Sequence, residues 1–166
     1  INQLVAAGYQ YIGMDHFAKP DDELSILQNN GKLHRNFQGY TTQPECDLLG
    51  LGVSAISQIG NCYAQNQKDI KQYYTSVDDR SNALWKGVGL AEDDFIRRAV
   101  IKQLIRHFEL DFGSIESQWG LSFEEYFKED LQLLQTFIDD KLVEYDARSL
   151  KVTPKGELLI RNICMC

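Results

Sequence analysis

Nowhere in this chain do apolar residues run for the roughly 20 positions that a membrane-crossing helix needs, and no signal peptide opens it. A membrane protein is not expected. Positive charge is scarce: 17 Lys and Arg stand against 24 Asp and Glu, a formal net charge of −7. Affinity for a phosphate backbone comes from clustered Lys and Arg, so a protein whose main task is to hold nucleic acid is not expected either. Proline is rare, with 3 in 166 residues, and there is no internal repeat or low-complexity tract. The apolar share of 43% is enough for a real core, which argues against disorder. The four cysteines, Cys46, Cys62, Cys164 and Cys166, make no C-x-x-C pair. Cys164 and Cys166 lack two further ligands at a recognisable spacing, so the expectation is no metal and reduced thiols in the cytoplasm.

What is present reads as an α+β chain in two textures. Over 1–66, Tyr9–Met14 reads as a buried strand ending in polar Asp15-His16, Asp21–Asn29 as a short helix, Asp47–Ile59 as a strand bending past something close, and Asn61–Gln65 as a returning strand. This order suggests the last units of an α/β layer or barrel. Over 67–166 helices dominate. Asp69–Val77 is one, and Glu92–Phe108 is a long amphipathic one with Phe95, Ile96, Ala99, Val100, Leu104 and Phe108 on its apolar stripe. Ser122-Phe-Glu-Glu125 reads as a capping box opening a helix that buries Phe127, Leu131, Leu134 and Ile138. Leu142–Asp146 and Leu150–Val152 read as a hairpin, and Thr153-Pro154 as the start of a last helix. Helices, hairpin and final helix make a winged-helix-like plan. The ends also carry a pattern: Ile1 opens without Met on what reads as a helix tail stopped by Gly8, and Cys164-Met-Cys166 closes in mid-pattern. Both ends read as cut.

Most local motifs favour their plainer meaning. Gly50-Leu-Gly-Val-Ser-Ala55 fits the G-x-G-x-x-A form of a dinucleotide loop, but Gly60 interrupts the helix that should follow. Close approach of the backbone to a neighbour or a ligand is the better account. Ser54 lacks the closing glycine of a nucleophile elbow, since Ile56 stands there. Arg98, Lys102 and Arg106 share a helix face, but from Glu92 onward ten basic residues meet fifteen acidic ones, so a solvated face is expected. His16, just after a buried strand, is either structural or turned to a barrel's active face, with the structural reading favoured.

Four strings then carry a resemblance. Tyr11-Ile-Gly-Met-Asp-His-Phe-Ala18, Leu33-His-Arg-Asn-Phe-Gln-Gly-Tyr40, Asp47-Leu-Leu-Gly-Leu-Gly-Val-Ser-Ala-Ile56 and Leu159-Ile-Arg-Asn-Ile-Cys-Met-Cys166 resemble the oxygen-independent coproporphyrinogen III oxidase family. The resemblance implies a radical S-adenosylmethionine enzyme with a [4Fe–4S] cluster in an incomplete α/β barrel, covered by a mostly helical C-terminal domain. In such enzymes a 5′-deoxyadenosyl radical takes hydrogen from two propionates of coproporphyrinogen III, and loss of CO₂ leaves the vinyl groups of protoporphyrinogen IX. This chain would be the last barrel units plus the C-terminal domain, a monomer. By motif, contacts to S-adenosylmethionine fall on Phe37, Gln38 and Ile56; no catalytic residue is assigned. The family's cluster needs Cys-x-x-x-Cys-x-x-Cys, which this chain lacks, so by itself it is expected to bind no cluster or cofactor and to be inactive. Two alternatives stand beside this. Haem-chaperone relatives share the architecture but carry a His-Asn-x-x-Tyr string where this chain has His34-Arg-Asn-Phe37. A winged-helix nucleic-acid binder or adaptor is the more distant one.

Overall fold

The computed structural model describes residues 1–36, 39–43 and 46–166, with Arg80 described by its backbone alone. Contacts divide the chain into two units, Ile1–Thr42 with Ile96–Cys166, and Gln43–Phe95. The described residues form an α+β chain of eight α-helices and small sheets whose strand pairings are all antiparallel.

The first unit opens with helix α1 (Asn2–Ala6), followed by Gly8 at φ +86°. Strands β1 (Gln10–Gly13) and β2 (His16–Ala18) form a hairpin in which Gly13 lies opposite His16. The sequence placed Asp15-His16 at the end of a strand. In fact Met14, at φ +55°, turns the chain and His16 begins the return strand. Helix α2 (Glu23–Asn29) is capped by Asp22, whose Oδ1 accepts the Leu24 N–H at 2.8 Å. Two-residue strands β3 (His34–Arg35) and β4 (Tyr40–Thr41) pair with Arg35 opposite Tyr40. Ile12, Ala18, Leu33 and Tyr40 make a small core, covered by Leu24 and Leu27 of α2.

The second unit is a meander, β5 (Ile56–Ile59), β6 (Cys62–Asn66) and β7 (Leu84–Gly89), with helix α3 (Ile70–Arg80) between the last two strands. Asp69 caps α3 by accepting the Lys71 and Gln72 N–H groups, each at 3.0 Å. Along β7 every residue is exposed.

Helix α4 (Glu92–His107) brings the chain back, ending at Phe108, whose φ of +55° swings it into β8 (Glu109–Asp111). Then come α5 (Phe112–Trp119), α6 (Phe123–Tyr126), α7 (Lys128–Asp139), β9 (Val143–Tyr145), β10 (Ser149–Val152), a 3-10 turn (Glu157–Leu159) and α8 (Ile160–Ile163). Strand β10 lies between β8 and β9. Leu110, Ile115, Val143, Leu150 and Ile160 are essentially inaccessible, and Phe112 stacks on Phe123 at 4.1 Å and 7°. Each such side chain stabilises the fold by about 1.5–3 kcal/mol relative to exposure.

Two expected caps changed. Ser122 precedes α6 but makes no capping hydrogen bond; Glu116 of α5 reaches across and its Oε1 accepts the Phe123 N–H at 2.8 Å. The helix read from that box is also broken in two at Phe127, the residue between α6 and α7. Thr153 does accept the Gly156 N–H at 3.2 Å, as an N-cap would. Its hydroxyl also donates to the Lys141 carbonyl at 2.9 Å, and a turn and a 3-10 segment precede α8.

Candidate functional site

The three residues expected from the resemblance fall in different places. Phe37 and Gln38 lie outside the described residues. Ile56 opens β5 in the second unit, half-buried and opposite Gln65. The glycine-rich stretch before it is not the strand that the sequence suggested. Leu48 makes an isolated bridge to Gln58, and Gly50–Ala55 forms a loop before β5, with the Ser54 N–H donating to the Gln67 carbonyl at 2.8 Å. Ser57 Oγ accepts the Gly50 N–H at 3.0 Å, and Asn66 Nδ2 donates to the Gly52 carbonyl at 2.8 Å. A Cβ on Gly50 would lie 2.6 Å from the Ile56 carbonyl oxygen, so glycine there permits the close approach.

A second constellation lies wholly within the first unit, where its two hairpins meet. Tyr40 is its centre. Burial pushes the Tyr40 phenol up to about 12, so it stays protonated, and it donates to the Ile105 carbonyl at 3.1 Å. The Arg35 guanidinium sits over the Tyr40 ring at 4.9 Å, and the His16 ring meets it edge-on at 5.1 Å. Two glycines make room. A Cβ on Gly13, at φ +145°, would overlap the Tyr40 hydroxyl, and one on Gly39, at φ +149°, would lie 2.8 Å from His16 Nε2. His16 Nδ1 approaches Asp15 Oδ1 to 2.9 Å, an ion-pair distance without hydrogen-bond geometry. Nη1 of Arg35 is buried with no hydrogen-bond partner among the described residues.

The whole chain can be compared with known proteins on this basis. Residues 90–159 match the family model described as HemN C-terminal domain. The oxygen-independent coproporphyrinogen III oxidase of Escherichia coli (strain K12) is 63% identical over 98% of this chain, and that of Pseudomonas aeruginosa is 56% identical over 98%. A more distant relative of the same name, from Helicobacter pylori, is 37% identical over 99%. The solved structure of coproporphyrinogen III oxidase (HemN) from Escherichia coli, described as a radical SAM enzyme, superimposes with a TM-score of 0.91 over 100% of this chain and 38% of that one. Over almost its whole length the chain is similar to oxygen-independent coproporphyrinogen III oxidases. It spans about 36% of the length of the Escherichia coli relative.

Sequence reasoning alone does not single out Arg35 and Tyr40. Their link is a short antiparallel pairing that sets Arg35 directly opposite Tyr40. His16 was noticed, but its edge contact with Tyr40 depends on residues 24 positions apart.

The first unit also holds a cavity of about 170 Å³, lined by Val100, Leu104, Phe127, Leu134, Ile163 and Cys164 among others. That is below the usual range for ligand pockets, roughly 300–1,000 Å³. Burial, and then the neighbouring Cys166 thiol, push the Cys164 thiol up to about 12. Among the described residues no group of three His, Cys, Asp or Glu could hold a metal ion. Since the thiolate is the nucleophile, Cys164 should resist iodoacetamide at pH 8 while exposed Cys46 reacts. Peptide mass spectrometry over a time course reads this; equal rates would contradict the burial of Cys164.

Proposed function

We propose that this chain is the C-terminal portion of an enzyme that oxidatively decarboxylates two propionates of coproporphyrinogen III to vinyl groups, yielding protoporphyrinogen IX. The observation that carries this reading is 63% identity over 98% of the chain to the Escherichia coli oxidase. In this reading, 1–66 supplies the terminal units of an incomplete α/β barrel. Residues 67–166 form a winged-helix-like domain with a hairpin wing that covers it. The intact enzyme works in the cytoplasm as a monomer, without nucleic acid.

S-adenosylmethionine and a [4Fe–4S] cluster supply the hydrogen-abstracting chemistry in the intact enzyme. The cluster does not fit the residues of this chain, which offer no cysteine triad. What the chain contributes is a wall for the cofactor: Phe37 and Ile56 as apolar surface, Gln38 as an amide for polar edges. Half-buried Ile56, held rigid by the clamped glycine loop, suits that role.

The test is the affinity of the full-length, cluster-loaded protein for S-adenosylmethionine. Phe37→Ala should weaken it at least about tenfold, because the contact of one aromatic ring is worth about 1.5 kcal/mol or more. Gln38→Ala should weaken it less. Unchanged affinity in both variants would remove these residues from the cofactor wall.

A further inference from the structure

Tyr40 holds a guanidinium and an imidazole at once, Arg35 over its face and His16 at its edge. The register of β3 and β4 sets Arg35 directly opposite Tyr40. The ring under the guanidinium cannot swing, because its hydroxyl is tied to the Ile105 carbonyl at 3.1 Å and presses on Gly13. The guanidinium is therefore restrained before any ligand arrives, which reduces the ordering cost of binding. Its Nη1 is buried and has no hydrogen-bond partner among the described residues, an arrangement that is costly unless something supplies an acceptor. Among the described residues no carboxylate forms an ion pair with Arg35. His16 sits on the same ring from its edge, backed by Gly39, with its side chain 35% exposed. Its companion Asp15 is 85% exposed and makes no hydrogen bond to it. His34 is different: it precedes Arg35 on β3, so its side chain leaves from the other face.

We propose that Arg35, assisted by His16, is a carboxylate-binding site. A planar guanidinium fork matches a carboxylate in two parallel hydrogen bonds, and the neighbouring His16 imidazole offers a further donor on the same ring. A nucleic-acid phosphate is disfavoured by the net charge of −7. The assignment of the carboxylate's owner rests on the function proposed above, which offers two: a propionate of the porphyrinogen and the amino-acid carboxylate of S-adenosylmethionine. Either way the pair would orient its ligand and take no part in bond breaking.

The test uses the full-length protein, reconstituted anaerobically, with Arg35→Gln, Arg35→Lys and His16→Asn. Michaelis constants for coproporphyrinogen III and S-adenosylmethionine are measured separately, with substrate-free cleavage of S-adenosylmethionine and the melting temperature as controls. In Arg35→Gln one of the two constants should rise on the order of 30-fold, the range expected for losing hydrogen bonds to a charged group. Arg35→Lys should recover part of that, and His16→Asn should raise the same constant by about fivefold. The constant that moves names the owner of the carboxylate. If neither constant moves more than about twofold in a folded Arg35→Gln protein, the site is structural and the proposal fails. Should Arg35→Gln not fold, Arg35→Lys and His16→Asn decide by the same rule. If the wild type neither cleaves S-adenosylmethionine nor consumes the porphyrinogen, the proposed function is what fails. The carboxylate site is then judged by titrating sodium propionate against the Arg35 side-chain NMR signal, where saturable binding lost in Arg35→Gln sustains it and no binding overturns it.

Discussion

Alanine at Gly156 should lower the stability of the chain by on the order of 3 kcal/mol, the upper part of the range for forcing atoms into a packed site. The added Cβ would fall on the Leu142 carbonyl oxygen, with Val152 Cγ1 at 3.0 Å on the other side. Neither neighbour can retreat easily. The Leu142 carbonyl accepts the Thr153 N–H at 3.0 Å, fixing the approach of β9 to the turn after β10. Val152 is itself a buried member of the main core. The backbone at Gly156 is ordinary, at φ −74°, so left-handed strain plays no part. Replacing glycine also stiffens the unfolded chain, a gain of about 0.4–1 kcal/mol, which the clash outweighs. Gly120 is the control: it has a φ of +66° and open space around a Cβ, so its alanine variant should cost about 1 kcal/mol. Urea denaturation of the three proteins reads the order directly. A Gly156→Ala midpoint equal to wild type would mean that the turn relaxes freely.

The second large effect is an absence of chemistry. This chain by itself, given iron, sulfide, reductant, S-adenosylmethionine and coproporphyrinogen III under anaerobic conditions, should acquire no stoichiometric [4Fe–4S] absorbance and form no protoporphyrinogen IX. The reason lies in its donors. A cluster of this kind needs three thiolates converging within a few ångströms. Neither unit holds three cysteines: Cys46 and Cys62 lie in the second, Cys164 and Cys166 in the first. Burial also holds the Cys164 thiol protonated up to about 12, which disfavours the thiolate that iron requires.

Legibility from sequence followed the strength of local signals. The stripe of α4 was readable because 16 residues repeat one face, and Ile96 and Leu104 are indeed buried. The β9–β10 hairpin and the buried strand around Ile12 were readable by alternation and length. What escaped was decided by partners distant in sequence. Strand β8 is only three residues long and exists because β10 pairs with it. The capping box at Ser122 failed because Glu116, six residues earlier, reached the Phe123 N–H instead. The glycine loop at Gly50–Ala55 reads as a strand because its apolar residues mimic one, yet the strand begins only at Ile56. Arg35, Tyr40 and His16 were the hardest case: a guanidinium stacked on a ring and a histidine on its edge come from two separate hairpins.

We propose that this chain serves a radical enzyme by walling its cofactor and gripping a carboxylate, while other residues of the whole protein hold the cluster. The measurement that tests it most directly is one anaerobic assay run side by side on the full-length protein and on this chain, following coproporphyrinogen III consumption and protoporphyrinogen IX formation with S-adenosylmethionine and reductant. The expected result is S-adenosylmethionine-dependent product from the full-length protein and none from the chain. Turnover by the chain alone, or a cluster-loaded full-length protein that leaves the porphyrinogen unchanged, would contradict it.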